Sequence, residues 1–286
     1  MGSLPTSVAS AANHQPHICS SLPSSTPRAD GSTAAAIKNF LHLQLPPQRR
    51  EPTSYVHFTN VPPEIVHRSS DHHAEIFGAN LRITYDAGTR DLIVKIPSQP
   101  DESAHLSLSD AIVIQAVEMD LKYELCRHGA ATVSSGNISK EPDSSFRPRP
   151  TRLPAGRVKT WPALVIEASS SEAIAHLRAM ADLWIDMSNG NVKVAIIISI
   201  ERARGTVIVE KGIPNRRRPG GLHAVRDQEI VVNRLDSGRA EVVGAPLVIG
   251  FEELFLRALA PGEGDIVVSG LDFENMAELV WDGLEL

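Results

Sequence analysis

Cysteine and long apolar runs are both scarce in this chain of 286 residues. The two cysteines, Cys19 and Cys126, are too few for the disulfide framework of a small secreted protein. The longest unbroken apolar run, Val194 to Ile198, is far shorter than the roughly 18 residues that a membrane span needs. No lysine or arginine precedes Arg28, so the opening lacks the charged start of a secretory signal. These absences predict an intracellular protein, cytoplasmic or nuclear, without a signal peptide or a transmembrane segment.

Several catalytic signatures are missing as well. The serine run at residues 169–171 carries no G-x-S-x-G elbow, and no glycine-rich loop of the phosphate-binding kind is present. His72, His73 and His105 lack companions at metal-ligand spacing, which favours surface or capping roles for them. The sequence therefore gives little support to a serine hydrolase or a P-loop protein.

Charge is abundant but unevenly distributed. The net charge is −6, yet residues 140–159 carry six basic against two acidic side chains, and residues 202–226 carry seven against one. Residues 227–286 reverse this, with three basic against 13 acidic side chains. Such blocks are commonly solvated loops, but the two basic blocks could also flank a phosphate backbone. Nucleic acid is then the expected partner, and the candidate contacts are Arg147, Arg149, Arg152, Arg216, Arg217 and Arg218.

The composition predicts a disordered tail followed by one domain. Residues 1–36 are rich in Ser, Pro, Ala, Thr and Gly and hold few large apolar groups, which is too little burial to offset the entropy of ordering them. We expect order over residues 37–286, as a single domain. Nothing in the sequence indicates an oligomeric state, and no membrane partner is expected.

Apolar periodicity predicts an α/β fold with one mixed central sheet flanked by helices. Alternation around residues 81–96 indicates an N-terminal hairpin, and helical spacing follows from Leu106 to His128. The apolar segment Ala163 to Ile166 predicts a buried strand, and Val192 to Ile200 a second. A crossover helix between them and helices near the C-terminus complete the prediction, with these two strands adjacent in one sheet.

Two carboxylates stand where predicted strands end. Asp143 follows Pro142, and Glu167 comes directly after the segment Ala163 to Ile166. Side chains at the ends of neighbouring strands meet at a crevice, where paired carboxylates suit Mg²⁺ or Mn²⁺. The alternative is structural, with Asp143 capping a turn and Glu167 paired with an arginine of the basic loop. A desolvated carboxylate needs a partner in either case.

The stretch from residue 140 to residue 200 resembles the restriction-endonuclease-like PD-(D/E)XK nuclease superfamily. Pro142-Asp143 matches the first half of its motif, and Glu167-Ala168-Ser169 matches the second half except at the last position. A wider pattern resembles an uncharacterised fungal branch of that superfamily, and it runs through Tyr55-Val56-His57-Phe58, residues 92–98, Lys140 to Asp143, Trp161-Pro162, Glu167, Val192-Lys193 and Phe251-Glu252. The resemblance implies an αβββαβ core at about residues 104–211 and metal-dependent hydrolysis of phosphodiester bonds.

Ser169 departs from this resemblance, because the superfamily has a lysine there. A hydroxyl group carries no positive charge, and losing such stabilisation costs on the order of 10²-fold in rate. Lys140 is the first candidate substitute, Arg178 the reserve and Lys193 a third. We expect the Lys140 ammonium about 4 to 6 Å from one of the two carboxylates.

The resemblance also implies a further acidic metal ligand on the first core helix. Glu118 is preferred over Glu102, because Glu118 lies inside the predicted helix. The predicted catalytic set is thus Asp143, Glu167, Lys140 and Arg178, and the predicted metal ligands are Asp143, Glu167 and Glu118. Two functions remain open: a metal-dependent nuclease with full, reduced or lost activity, or a noncatalytic scaffold that binds nucleic acid or protein.

Overall fold

The computed structural model describes residues 18–45, 55–69, 81–170, 174–215 and 221–285. The helices are α1 (Ala34–Gln44), α2 (Pro63–Ser69), α3 (Gln99–Glu118), α4 (Ile174–Met187), α5 (Phe251–Phe255) and α6 (Gly270–Leu284), with one 3₁₀ turn at Pro150–Arg152. The strands are β1 (Arg28–Asp30), β2 (Tyr55–Thr59), β3 (Arg82–Asp86), β4 (Asp91–Lys95), β5 (Leu125–Arg127), β6 (Val133–Ser135), β7 (Ile138–Lys140), β8 (Ser144–Pro148), β9 (Leu164–Ser169), β10 (Val194–Glu201), β11 (Thr206–Asn215), β12 (His223–Arg234), β13 (Ala240–Val243), β14 (Leu247–Ile249) and β15 (Ile266–Val268).

A seven-stranded mixed sheet forms the centre of the molecule. Its order is β13-β12-β11-β10-β9-β8-β5, with β9 and β10 parallel and the other pairs antiparallel. The predicted adjacency of the two apolar strands is confirmed, and α4 connects them. Over residues 99–201, the elements of the central sheet and its helices follow one another as α3, β5, β8, β9, α4, β10, which is the αβββαβ order of a restriction-endonuclease-like fold. Strands β6 and β7 of the other large sheet are inserted between β5 and β8.

The central strands are apolar because both of their faces are covered. Leu164 and Ile166 of β9 pack in a cluster with α3, α5 and α6, whereas Val165 packs in a second cluster with α4. Strands buried on both sides read as continuous apolar runs. Glu167 and Ser169 share a face with Val165, because side chains alternate along a strand. Both are almost wholly buried on the α4 side of the sheet.

A second large sheet lies against this same face. It has the order β1-β2-β4-β3-β7-β6, and it contains the predicted hairpin as β3 and β4. Tyr55, Ile93 and Ile138 of this sheet share a buried cluster with α4 and the central sheet, while α1 packs with the sheet in a separate cluster. The prediction of a single sheet is therefore incomplete. A two-stranded sheet, β14-β15, is present as well.

The chain passes from one large sheet to the other at Glu141-Pro142-Asp143. Lys140 ends β7 in the six-stranded sheet, and Ser144 begins β8 in the central sheet. Proline has no backbone N–H to donate to a β-ladder, so Pro142 suits a break between two strands. Lys140 and Asp143 are therefore near neighbours in sequence but belong to opposite walls of the space between the sheets.

The structure corrects two predicted boundaries. The tail does not extend to residue 36, because β1, the start of α1 and the buried side chain of Ile18 lie within residues 18–36. Residues 1–17 lie outside the described part of the chain. Glu167 stands inside β9 rather than after it. No helix among the described residues combines the length and apolar character needed to cross a bilayer.

A candidate active site between the two sheets

Asp143 is held at the start of β8 by contacts with β9. Its backbone N–H donates to the Ile166 carbonyl at 3.2 Å, and its Oδ2 accepts from the Ala168 N–H at 2.7 Å. The Lys95 ammonium, at the end of β4, donates to the same Oδ2 and to the Ala168 carbonyl oxygen at 2.5 Å. Lys95 therefore crosses from the six-stranded sheet to neutralise a carboxylate of the central sheet.

Glu167 has an equivalent partner. Its Oε1 lies 2.8 Å from the Lys140 Nζ and accepts a hydrogen bond from the Trp184 indole N–H at 2.7 Å. The Lys140 ammonium also lies 5.3 Å from the centre of the Trp184 ring and 3.3 Å from Thr84 Oγ1. The expected approach of Lys140 to a carboxylate is confirmed, at a shorter distance than the 4 to 6 Å predicted. The partner of Glu167 is thus a lysine, not an arginine of the basic loop.

These four charged side chains are almost completely buried, with exposures of 3 to 5%. Burial opposes ionisation of the Asp143 carboxyl, but Lys95, His105 and the Ala168 N–H outweigh it and hold the pKa of Asp143 below its usual value. For Lys95, burial opposes the charge and the Asp143 carboxylate favours it, and the pKa of Lys95 rises above its usual value. Each partner thus keeps the other ionised at neutral pH.

The first turn of α3 brings further carboxylates to this site. Asp101 is wholly buried, and its Oδ2 accepts from the Ser98 N–H at 2.9 Å at the helix N-terminus. Burial raises the pKa of Asp101, and Lys95 counteracts part of this shift. Glu102 lies 3.4 Å from Arg82 and 3.2 Å from His105.

The preferred candidate Glu118 is at the wrong end of this helix. It is exposed and ends α3, which places it about 24 Å along the helix axis from Glu102 at 1.5 Å per residue. The choice made from the sequence therefore fails on geometry. It rested on predicting that the helix starts near Leu106, whereas Ser98, Pro100 and Asp101 begin it about two turns earlier.

The carboxylate oxygens at this site suit a hard divalent cation. Among the described residues, Asp143 Oδ1 and Asp101 Oδ1 are buried without a hydrogen-bond partner, and burial, with a smaller contribution from the Asp143 charge, raises the pKa of Asp101. Arg82 Nε is 3.8 Å from Asp143 Oδ1, beyond hydrogen-bond distance, and it is also unpartnered. Buried carboxylate oxygens without donors call for a proton or a cation, and oxygen ligands are those that Mg²⁺ and Mn²⁺ prefer.

Little open space remains at the site. Tyr55, Lys95, Lys140, Glu167 and His176 line a cavity of about 10 Å³, which is about the size needed for one water molecule. Ser169 is wholly buried, and its hydrogen bond to the Tyr55 hydroxyl opposes the rise that burial causes in the pKa of Tyr55. A phosphodiester can reach Asp143 and Glu167 only if side chains or the six-stranded sheet move.

The other predicted cations are engaged elsewhere. Arg178 forms two hydrogen bonds to Glu210 on β11, at 2.5 and 2.9 Å. Lys193 donates to the Gly190 carbonyl at 2.6 Å. These bonds hold Arg178 and Lys193 to groups other than Asp143 and Glu167, so the structure gives no support to either as the substitute cation.

The basic loop lies at the far end of β8. Arg147 is four residues beyond Asp143, about 13 Å along an extended strand, and it donates to His128 at 2.7 Å. Arg149 is exposed, and Arg152 is 3.3 Å from Glu124. Arg216, Arg217 and Arg218 lie outside the described residues. Contact of these arginines with nucleic acid remains a prediction.

Comparison with known proteins adds little to this geometry. No protein-family model and no curated protein matches the chain. One solved structure that it matches comes from Anabaena variabilis ATCC 29413 and is provisionally described as a nuclease belonging to DUF820. The identity is 12% and the TM-score 0.35, over 71% of this chain and 90% of that one. A likeness at this level carries no argument about the site.

Sequence reasoning missed Lys95 and Asp101. Lys95 closes the run Leu92-Ile93-Val94-Lys95, every residue of which is buried. A lysine continuing an apolar strand was the available signal, since a buried lysine needs an acidic partner. Asp101 follows Ser98 by three residues, which is capping-box spacing and was the available signal that the helix starts before Leu106.

Proposed function

We propose that this chain is a nuclease-like phosphodiester hydrolase in which Asp143 and Glu167 hold a divalent cation. The observation that carries the proposal is the meeting of these two carboxylates with two lysines in one buried cluster on the αβββαβ core. The unpartnered Oδ1 atoms of Asp143 and Asp101 support it, because buried carboxylate oxygens without hydrogen-bond donors favour a cation nearby. In this proposal Asp101 replaces Glu118 as the acidic residue of the helix.

Each residue has a separate role in the proposed site. A bound Mg²⁺ or Mn²⁺ would polarise the phosphoryl oxygen and lower the pKa of an attacking water. Lys140, bonded to Glu167, supplies the positive charge that Ser169 lacks and would steady that water. Lys95 keeps Asp143 ionised and fixed against β9. Trp184 orients Glu167 through its indole N–H.

The proposal is tested by titrating the metal-free protein with Mn²⁺ in a calorimeter and assaying cleavage of single- and double-stranded DNA and of RNA. We expect saturable binding that Asp143→Asn and Glu167→Gln abolish. Glu118→Gln is the matched control and should leave binding unchanged. We expect Lys140→Met to lower cleavage by about 10²-fold or more while keeping most of the Mn²⁺ binding. Protein that binds Mn²⁺ at neither residue would refute the proposal.

A second function is favoured by one specific observation. Asp143 and Glu167 already have lysine partners, and the cavity beside them holds about one water. This packing suits a noncatalytic scaffold in which the four charges join the two sheets. Absence of Mn²⁺ binding together with absence of cleavage is the result that selects the scaffold. Substituting Ser169 with lysine does not separate the two functions, because Ser169 is wholly buried and a longer side chain there would displace its neighbours.

A further inference from the structure

Three potential metal ligands of different chemistry meet in the N-terminal part of the chain, outside the site described above. Cys19 lies in the turn after Ile18, His57 in β2, and Asp91 at the start of β4. The Cys19 Sγ, the His57 Nε2 and an Asp91 carboxylate oxygen all lie within 4.8 Å of one another. His57 and Asp91 are buried, with exposures of 5 and 8%, and Cys19 is half-buried.

The contacts converge on a single nitrogen. His57 Nε2 is 2.7 Å from Asp91 Oδ1 and 3.3 Å from Cys19 Sγ. His57 Nδ1 is buried and has no hydrogen-bond partner among the described residues. Hydrogen bonds therefore do not satisfy this ring in either neutral tautomer. If Nε2 carries the proton, it can donate to Asp91 or to Cys19 but not fully to both, and Nδ1 is left as a buried acceptor without a donor. If Nδ1 carries the proton, the lone pair of Nε2 faces the Asp91 carboxylate.

We propose that Cys19, His57 and Asp91 bind a Zn²⁺ ion through Sγ, Nε2 and a carboxylate oxygen, with water as the fourth ligand. The sulfur, imidazole and carboxylate set suits zinc and is unsuited to Mg²⁺ or Ca²⁺, which take oxygen ligands. In a tetrahedral zinc site, neighbouring ligand atoms are about 3.3 to 3.6 Å apart, from bond lengths of about 2.0 to 2.3 Å. The observed contacts of 2.7 and 3.3 Å open to these values with shifts of well under ~1 Å.

The three ligands come from separate parts of the chain, so the ion would fasten the N-terminal segment to the six-stranded sheet. Cys19 and His57 are 38 residues apart, and His57 and Asp91 are 34 apart. The same segment touches α4, where Ser21 Oγ lies 2.9 Å from His176 Nδ1. His176 in turn lines the cavity beside Glu167. A zinc ion at Cys19 would therefore fix a segment that packs against the edge of the proposed nuclease site, without being part of that site.

Cobalt is the probe for this proposal. Metal-stripped full-length protein, kept reduced, is titrated with Co²⁺ and then with Zn²⁺. We expect a saturable thiolate-to-cobalt charge-transfer band in the near ultraviolet at one ion per chain, displaced by Zn²⁺. Cys19→Ser should remove the band. Cys126→Ser is the matched control, since Cys126 is the other half-buried free cysteine, and it should leave the band intact.

Affinity and stability provide a second readout in case one variant folds poorly. His57→Gln and Asp91→Asn should each weaken Zn²⁺ binding by about tenfold or more. Zn²⁺ should raise the Tm of the wild type and of Cys126→Ser but not that of Cys19→Ser, because a ligand that binds only the folded state stabilises it. Asp143→Asn and Glu167→Gln should leave the cobalt band unchanged, which separates this site from the proposed nuclease site. A wild-type protein without a saturable band, or a band that survives Cys19→Ser, overturns the proposal.

Discussion

Replacing Lys95 by methionine tests how much the buried Lys95–Asp143 ion pair contributes to the free energy of unfolding. Methionine fills a similar volume but leaves the Asp143 carboxylate with the Ala168 N–H and with Arg82 at 3.8 Å. Removing one member of a buried ion pair typically destabilises a protein by about 3 to 5 kcal/mol, because the other charge stays buried and unpaired. Arg82 offsets part of the loss, so we expect about 3 kcal/mol at pH near 7.5.

The pH dependence of this loss has a definite sign. In the wild type the pKa of Asp143 is depressed, so its contribution is present above the unfolded pKa and is lost as the pH falls through the folded pKa. In Lys95→Met the carboxyl is buried without its cation and its pKa rises. As the pH falls, the Asp143 carboxyl of the variant becomes protonated, and the cost of burying an unpaired charge disappears. The difference in free energy of unfolding between the two proteins should therefore shrink toward about pH 4.

Urea denaturation of four proteins measures these effects. Lys95→Met/Asp143→Asn should be more stable than Lys95→Met alone, because no unpaired charge remains. Lys211→Met is the matched control: Lys211 is buried, but its partner Asp227 is 38% exposed and keeps water around its charge. We expect that control to cost about 1 kcal/mol. A loss below about 1 kcal/mol in Lys95→Met, or a loss that does not change with pH, would show that the pair is not energetically coupled.

Two further predictions concern a histidine and a pair of glycines. Burial, with smaller contributions from Lys140 and Lys95, lowers the pKa of His176 to about 3, so below about pH 6.5 the unfolded state binds a proton that the folded state refuses. Between about pH 6.5 and 4.5, the free energy of unfolding of the wild type, measured by denaturant titration, should fall by roughly 2 to 3 kcal/mol more than that of His176→Phe. An equal pH dependence of the two free energies would contradict the lowered pKa of His176. Gly244 has φ +89° and a Cβ there would stand 2.2 Å from the Glu229 carbonyl oxygen, whereas Gly238 has φ +79° and open space around it. Gly238→Ala should cost about 1 kcal/mol and Gly244→Ala clearly more in the same assay, and similar losses would show that the backbone relaxes.

Much of the central sheet was predictable because its signal is local. The apolar runs of β9 and β10 and the helix between them can be recognised without knowing their neighbours, and their parallel pairing follows from the crossover. The second sheet was not predictable in the same way. Its strands β2, β4, β3 and β7 are short and drawn from residues 55–140, and their pairing depends on contacts distant in sequence.

The residues of the candidate site also differ in whether local sequence or distant contacts identify them. Asp143 and Glu167 are marked by position relative to strands, and Lys140 is near Asp143 in the chain, so all three could be proposed from the sequence. Lys95 lies 48 residues before Asp143, and only the packing of one sheet on the other brings them together. Glu118 was preferred because the predicted helix started about two turns too late, which hid the acidic residues of its true first turn. Arg178 was misplaced because its partner Glu210 is 32 residues away in the chain.

The chain passes from one large sheet to the other at Pro142, so the lysines that contact Asp143 and Glu167 lie far from Glu167 in the sequence. Two ammonium groups lie in contact with the carboxylates of this site, yet neither belongs to the short segment around Glu167 in which a lysine is sought. A letter-by-letter comparison at Ser169 scores this chain as lacking its cation. In this chain the positive charge beside Asp143 and Glu167 therefore comes from Lys95 and Lys140, which only the three-dimensional arrangement reveals.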